Sequence, residues 1–366
     1  MKKVIFISAL AIAAAVSCTK SDIVDTKFND AIGFETYLGR DAQTKASVAT
    51  NFSTAGIYGF YTGSQQWALN GETGDAYVAS PKANLWVNDI LAFAGTVDPI
   101  KYWANADDYY SFLAYAPKGD GNISNFPTGK DEDNNNVDVT NPTITFAVPT
   151  ALASQTDLLY ANVLNTKKPA TTGDKVAMSF HHALARLTVN AKAAANQKFG
   201  FCIKKITIAG GFHKSDVLTL KDGSWAKAGE PVEATKDEKG NDVPAETYTF
   251  YNESANTTAL GTSNTDYAKV GDAYSNYLMM IPVDFTDAPA TLTVEYTTVY
   301  DNVESTVITK TFDVTTNFEQ GNAYAINLTF SKDVEAIEFT VSVEDWKPTT
   351  TVDGVPQLMR LVRMRM

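Results

Sequence analysis

Alternation of apolar and polar residues between short turn signals is the feature that most constrains the fold of this chain. In "DVLTLKDGSWAK" the pair Asp222-Gly223 separates two alternating stretches, which is the strongest short-range signal of a β-hairpin. The stretch "ATLTVEYTTVYDNVESTVITKTFDV" indicates a second hairpin, turning at Asp301-Asn302. Further period-two stretches cover 56–63, 108–117, 142–150, 174–180 and 186–193. Short strands at this spacing predict an all-β fold built of β-sandwiches.

The last two alternating stretches, "NAYAINLTF" and "AIEFTVSVEDW", predict two strands near the C-terminus. Their apolar residues recur at every second position, so we expect these side chains on buried faces. They are Tyr324, Ile326, Leu328 and Phe330, followed by Ile337, Phe339, Val341 and Val343. Helical periodicity is scarce. Its best example is 150–163, where Thr156 and Asp157 leave a loop followed by a strand as the alternative.

The N-terminus is typical of an export signal. "MKK" is a positive start, and "VIFISALAIAAAV" is an apolar run too short to span a bilayer as a mature helix. The following "AVSC" is the pattern at which bacterial lipoprotein precursors are cut, which predicts that Cys18 becomes the lipidated first residue. The alternative is an ordinary secretory signal cut near Ala15. Residues 1–17 are thus interpreted as a lipoprotein signal peptide and 18–30, which are polar, as a tether from membrane lipid.

The length that remains is typical of about two domains. We place the boundary near "FHHALARLTVNA", which predicts an N-terminal domain at 31–182 and a C-terminal domain at 183–350. Residues 351–366, "TVDGVPQLMRLVRMRM", are apolar and basic in a chain of net charge −12. We interpret them as a tail, with a donor strand or a segment attracted to an acidic neighbour as the alternatives. The acidic balance also argues against nucleic acid as a partner, because phosphate backbones are repelled.

The first strand after the tether is placed unusually. In "AIGFETYLGRDAQTK", Ile32, Phe34, Thr36 and Leu38 share one face of a period-two stretch. The stretch runs directly into the basic residues at which a trypsin-like protease cuts, namely Arg40 and Lys45. It is either a permanent strand followed by an ordinary surface loop or a segment that proteolysis removes.

Motifs of enzymes and metal sites are missing from the sequence. The three histidines, His181, His182 and His213, form no HExxH, and no GxSxG or Gly-rich phosphate loop is present. If extended, His181 and His182 point opposite ways, one packing and the other meeting solvent. The loop 129–141 matches three places of a calcium-binding EF-hand and then fails, which leaves only an irregular calcium site open. Cys202 is interpreted as a half-buried strand residue. We therefore expect neither an enzyme nor a cofactor.

An ordered set of stretches carries a family resemblance. It consists of "DDYYSFLAYAP", "SQTDLLYANV", "VAMSFHHALARLTVNA", "NYLMMIPVDF", "NFEQGNAYAINLTF" and "FTVSVEDW". With the lipoprotein signal, this set resembles the fimbrillin family of Bacteroidales, the FimA-like and Mfa-like type V pilin lipoproteins. The resemblance implies two transthyretin-like β-sandwich domains in tandem and export to the cell outer membrane. It also implies assembly into surface fimbriae that support adhesion.

The same resemblance implies an assembly mechanism, donor-strand exchange. A protease removes the N-terminal strand, and a C-terminal segment of another fimbrial subunit fills the groove that is left. In this chain "IGFETYL" takes the place of the removable strand, Arg40 or Lys45 that of the cut site, and a segment beyond Val334 that of the donor. Partners are then other fimbrial subunits, membrane lipid through Cys18, and a receptor on a host or bacterial surface.

Two non-catalytic alternatives to a polymerising subunit stay open from the sequence; an enzyme ranks behind both, because the sequence singles out no pair among its many carboxylates for glycoside hydrolysis. One is a fimbrial anchor or tip protein that does not polymerise. The other is a surface lipoprotein that binds glycans or host proteins, with Trp86, Trp103 and Tyr109 as aromatic residues able to stack on sugars or, more commonly, to fill a core.

Overall fold

The structure is a computed structural model, and its description covers most of the chain between residues 31 and 346. The described residues are 31–38, 55–69, 72–78, 86–91, 94–98, 100–125, 141–195, 198–252, 258–260, 266–270, 277–331, 337–344 and 346. Nearly all regular structure in them is β-strand, which confirms the all-β prediction. A helix capable of crossing a membrane is absent from this part of the chain.

The first half of the chain contributes eleven strands and one short 3-10 helix, Leu152–Ser154. The strands are β1 (Gly33–Leu38), β2 (Ala55–Gly63), β3 (Gln66–Trp67), β4 (Tyr77–Val78), β5 (Trp86–Leu91), β6 (Ala94–Asp98), β7 (Tyr109–Ala116), β8 (Ile123–Ser124), β9 (Thr143–Ala147), β10 (Leu159–Thr166) and β11 (Val176–His182). Seven of them close into a barrel in the order β1-β11-β10-β7-β2-β5-β6.

This barrel is flattened into two facing sheets. The joins of β10 with β11 and of β5 with β6 consist of two residue pairs each, so they act as corners. One sheet is β6-β1-β11 and the other is β10-β7-β2-β5. Closing the corners leaves none of these seven strands as an open edge.

The second half of the chain contributes sixteen described strands. They are β12 (Ala185–Ala193), β13 (Gly200–Gly210), β14 (Ser215–Thr219), β15 (Thr235–Lys236), β16 (Asp242–Val243), β17 (Glu246–Asn252), β18 (Thr258–Leu260), β19 (Ala268–Lys269), β20 (Tyr277–Met280), β21 (Val283–Asp284), β22 (Ala290–Tyr300), β23 (Val303–Glu304), β24 (Ile308–Val314), β25 (Asn317–Phe318), β26 (Ala323–Phe330) and β27 (Ile337–Glu344).

Two sheets of this half form a sandwich. In one, β12 pairs with β26 in parallel, β27 lies beyond β26, and β19 and β20 share the other side of β12. In the other, β13 lies between β22 and the pair β17 and β18, while β24 lies beyond β22. Contacts between the sheets include Phe201 with Phe330, whose ring centroids are 5.2 Å apart.

The second predicted hairpin is confirmed. β22 turns at Asp301 and Asn302, which have φ of 49° and 64°, into a short strand beginning at Val303. Asn and Asp tolerate this left-handed backbone better than most residues. The first predicted hairpin is also confirmed, because the chain turns at Asp222-Gly223 and Leu218 forms an antiparallel bridge with Trp225; the strand before the turn, β14, also pairs with β9 of the first half.

The helical interpretation of 150–163 is wrong, and the alternative of a loop followed by a strand is confirmed. Only Leu152–Ser154 form a 3-10 turn, and Leu159 then begins β10. The reason is tertiary, because β10 pairs with β7 along six residue pairs. The amide side chain of Gln155 also accepts a hydrogen bond from the backbone N–H of Met279 (2.7 Å).

The last two predicted strands are present, and their burial matches the expected pattern except at one residue. Tyr324, Ile326, Leu328 and Phe330 are buried, whereas Ile337, Phe339 and Val341 are half-buried. Val343, which the alternation predicts to be buried, is 68% exposed. β27 has β26 as its one neighbour among the described strands, and the contact of Phe339 with Phe312 of β24 (5.4 Å) lies short of Val343.

Two hydrophobic clusters form the core. One fills the barrel and includes Ile57 and Phe112; the other joins Leu113 and Tyr115, on the outer face of the same strand β7, to the core of the second sandwich. The small sheet β14-β9-β8 also combines both halves. Residues before and after position 182 therefore pack against each other, and the domain boundary placed there stays a prediction.

Candidate functional site

The N-terminal strand β1 is the middle strand of its sheet. It pairs in parallel with β11 along five residue pairs, from Phe34 opposite Val176 to Leu38 opposite Phe180. On its other side it pairs antiparallel with β6, from Gly33 opposite Thr96 to Glu35 opposite Ala94. Both backbone edges of β1 are therefore used, and the strand separates two strands that have no pairing with each other.

The inward side chains of β1 are part of the barrel core. Ile32 and Phe34 are fully buried and Thr36 is 4% exposed, as the alternation predicts. The Phe34 ring packs edge-on against Phe112 of the facing sheet, with centroids 5.1 Å apart. Burying side chains of this size stabilises a fold by about 1.5 to 3 kcal/mol each.

The start of β1 is fixed to a neighbouring loop. The backbone N–H of Ile32 donates to the carbonyl oxygen of Lys101 (2.8 Å), and Ala31 forms a β-bridge with Tyr102. At the other end, the Leu38 backbone is paired, whereas its side chain lies outside the described residues. The predicted cut sites Arg40 and Lys45 and the lipidation site Cys18 also lie outside them.

The geometry defines what removal of β1 would leave. β6 and β11 would each lose a hydrogen-bonded neighbour, and a strand-wide gap would open between them. The gap would expose buried side chains of the barrel core, among them Phe112 of the facing sheet, Trp103, and Val176, Met178 and Phe180 of the flanking strand β11. A slot with two unpaired backbone edges and an apolar floor accepts an extended strand with alternating apolar side chains.

A second cluster lies where the two halves meet, and it unites residues from separate stretches of the sequence. His182, the last residue of β11, donates from Nδ1 to the Asp157 carboxylate (2.8 Å). The His182 ring stacks on Trp346, with centroids 4.1 Å apart and planes 21° apart. The guanidinium of Arg186 lies 5.0 Å from the Trp346 ring and 4.9 Å from the Tyr277 ring. We call these five residues the junction cluster.

A turn of the second half makes further contact with the first half. Lys221 donates from Nζ to the carbonyl oxygen of Ala68 (3.0 Å) and lies 5.0 Å from the centre of the Trp67 ring. A Cβ atom on Gly223 would meet the Tyr160 ring at 2.1 Å, so only glycine fits beside this ring. The Asp222-Gly223 turn therefore joins the halves.

Electrostatic effects in these regions are local. His181 is exposed as a whole residue, but neighbouring groups, among them the Tyr160 ring (5.6 Å), shield part of its imidazole from solvent. This partial desolvation, reinforced by the neighbouring His182, lowers the pKa of His181. His182 is half-buried instead, so the prediction that the pair points opposite ways is confirmed. A hydrogen bond to Asp108 raises the pKa of Tyr61 to about 12.

The other residues considered for chemistry are structural. Cys202 lies on a strand as predicted but is 2% exposed, so the prediction that it is half-buried is wrong. His213 is also buried and donates from Nε2 to the Glu230 carbonyl (2.6 Å). Trp103 is 9% exposed and packs edge-on against Tyr110, which is the arrangement of a core residue. The Trp86 side chain and most of the calcium-like loop lie outside the described residues. Within the described ones, no three His, Cys, Asp or Glu side chains are placed to hold a metal ion.

Comparison with known proteins is decisive for the family. A model described as fimbrillin-like matches residues 44–346, which is most of the chain. The chain belongs to the fimbrillin-like family. This family consists of fimbrial structural and adhesion proteins rather than enzymes, and membership implies a cell-surface protein that contacts other fimbrial subunits. A search among curated proteins found no match.

A comparison with solved structures bears on the fold of this fimbrillin-like chain. The crystal structure of a fimbrial protein from Bacteroides vulgatus is 20% identical, with a TM-score of 0.56, and the match covers 87% of this chain and 99% of that one. A proposed cell adhesion protein from Bacteroides ovatus is 14% identical over 87% of this chain and 98% of that one, with a TM-score of 0.45. The first of these is similar enough to show the same overall fold.

The junction cluster is the part of the structure that reasoning from the sequence did not assemble. Its residues lie in the stretches that carry the family resemblance, such as "SQTDLLYANV", "FHHALARL" and "VEDW". Their contacts join positions far apart in the chain, from Asp157 to Trp346. The motifs are visible in the sequence, but their spacing does not indicate that they contact one another in the fold.

Proposed function

We propose that this chain is a structural subunit of cell-surface fimbriae that assembles by protease-triggered donor-strand exchange and supports adhesion. In this proposal the precursor is a lipoprotein, anchored to the outer membrane through acylated Cys18. A trypsin-like protease cuts after Arg40 or Lys45 and releases β1. A C-terminal segment of another subunit then occupies the place that β1 leaves.

One observation carries the proposal: β1 is the central strand of its sheet and the first strand of the described chain. Its removal opens a groove with two backbone edges, whereas removal of an edge strand leaves only one. The described chain resumes at 55, so both cut sites fall between β1 and β2 in the sequence. Family membership supports fimbrial subunits as the source of the inserted strand.

The experiment is proteolysis of the purified precursor by a trypsin-like protease, with polymers detected as high-mass ladders on a denaturing gel run without boiling. We expect ladders for the wild-type chain and none for the Arg40→Ala, Lys45→Ala double variant, which keeps β1 attached. A matched control, Lys167→Ala with Lys168→Ala, removes two basic residues from another loop and should still polymerise. Loss of β1 without any ladder contradicts a polymerising subunit and favours an anchor or tip protein.

A further inference from the structure

The sandwich of the second half has two edge strands on the same side, and they differ in protection. β24 and β27 each end a sheet, and they contact each other through Phe312 and Phe339. On β24, Lys310 shares the inward-facing parity of Ile308 and Phe312. An inward-pointing charge on an edge strand discourages pairing with another chain.

β27 lacks such protection among its described residues. Its inward-facing positions are Ile337, Phe339, Val341 and Val343, an uninterrupted apolar series without proline or charge. Val343 is 68% exposed, which is unusual for an apolar residue on the inward parity of a strand. An apolar, unguarded edge of this kind favours the addition of another strand.

An alternating strand pairs apolar with apolar positions in any antiparallel register centred on one of its residues, and in β27 the register centred on Thr340 also keeps Glu338 away from Glu344, which the register centred on Val341 does not. When Thr340 is placed opposite Thr340 of a second copy, Phe339 falls opposite Val341 and Ile337 opposite Val343. Glu338 then falls opposite Ser342, so no like charges face each other within these pairs. Apolar residues pair with apolar ones and polar with polar, which is the arrangement that stabilises antiparallel strands.

We propose that a second copy of this chain binds at β27, with the two β27 strands antiparallel and Thr340 at the two-fold axis. Such an interface is isologous, since the same strand supplies both sides. It joins the β27-containing sheets of the two copies into one continuous sheet. In this arrangement the partner's Ile337 covers the exposed Val343. The proposal goes beyond fimbrial assembly, because it concerns the uncleaved chain and needs no donor strand.

The interface is small. Two eight-residue strands fall short of the roughly 1,200 to 2,000 Å² that stable complexes bury. The dimer is therefore a reversible one whose population depends on the concentration of the chain.

The register is tested by charge at the two-fold axis in the full-length, uncleaved chain, using sedimentation velocity over a concentration series. Thr340→Glu and Thr340→Lys each place like charges opposite one another, so each alone raises the dimer Kd about fivefold. An equal mixture of the two variants restores dimers, because Glu then faces Lys. The control is the same pair of substitutions at Thr249, an exposed residue on β17 at the opposite edge of the facing sheet, which leaves the Kd unchanged.

A second pair of variants tests the apolar contact. Val343→Lys removes the contact with the partner's Ile337 twice in each dimer and raises the Kd about tenfold. Val303→Lys, on a strand of the other sheet and 69% exposed, is the matched control. A chain that is monomeric at every concentration overturns the proposal, and so does a dimer that Thr340→Glu leaves unchanged. Either outcome leaves polymerisation after proteolysis unaffected, so it is distinguishable from failure of the proposed function.

Discussion

The first and the last strands of the described chain occupy opposite positions in their sheets. β1 lies between β6 and β11, and the inward side chains described for this segment, Ile32, Phe34 and Thr36, are buried in the barrel. β27 lies at an edge beside β26, with its inward side chains half-buried and Val343 exposed. Loss of β1 opens a core, whereas β27 has an edge to which a strand can be added.

Two stretches with similar alternation thus form strands in different positions, one central in its sheet and one at an edge. Both alternate apolar and polar residues, and alternation alone does not tell a central strand from an edge strand. The number of hydrogen-bonded neighbouring strands distinguishes a central strand from an edge strand. A strand with two neighbours is also part of the core, so its removal is costly unless another strand replaces it.

The largest expected difference between β1 and β27 is in the stability lost when a phenylalanine of each strand is replaced by alanine. We expect Phe34→Ala in β1 to lower the free energy of unfolding by about 3 to 5 kcal/mol, because the ring is fully buried. Phe339→Ala in β27 should cost clearly less, since this side chain is half-buried. The measurement is urea unfolding of both variants; an equal or larger loss for Phe339→Ala contradicts the assignment of central and edge positions.

The next largest effect concerns the turn that joins the halves carrying these two strands. Gly223→Ala combines a φ of +75° with a clash against Tyr160, and we expect a loss of about 2 to 4 kcal/mol. Gly63→Ala is the matched control, with a φ of +67° and open space around it, and should cost about 1 kcal/mol. Urea midpoints compare the two; equal losses would show that Tyr160 does not confine the turn.

A smaller effect on stability is expected from the contact between the residue after β27 and the first half of the chain. Trp346 follows β27 and stacks on His182, which ends the strand adjacent to β1. A double-mutant cycle of His182→Ala and Trp346→Ala should give a coupling energy of about 0.5 to 1.5 kcal/mol, the range of aromatic pairs. Additive losses in urea unfolding would mean that the stack contributes nothing between the halves.

The smallest effect is the pH dependence contributed by His181, also at the end of β11. Its pKa is lowered in the folded chain, mainly by partial burial, so the unfolded chain binds the proton more readily. The stability from this group is complete above about pH 6.5 and declines as the pH falls below that value. His181→Gln should therefore lose less stability than the wild type between pH 7.5 and 5. A variant with an equal or steeper decline would contradict this sign.

Much of the local structure follows from sequence pattern. The all-β class, the left-handed turn at Asp301-Asn302 and the buried series of β26 follow from alternation and turn chemistry. The parity of Ile32, Phe34 and Thr36 follows from the same rule. These features depend on residues near one another in the chain.

Features that depend on distant partners did not follow from the pattern. Val343 is exposed because it lies beyond the contact of Phe339 with Phe312 on the facing sheet, and Leu159 begins a strand because it pairs with β7. The junction cluster needs Asp157, His182 and Trp346 to meet across the fold. Spacing in one sequence carries no information about such meetings.

The central claim is that the place vacated by β1 accepts a strand from another subunit, and competition by a synthetic peptide tests it most directly. A peptide of residues 31–40 is added to the protease-treated chain in increasing amounts, and ladder length is measured on a gel. We predict that ladders shorten with dose, and that a peptide carrying Phe34→Asp leaves them intact. Ladders that neither peptide shortens, or that both shorten equally, would contradict the claim.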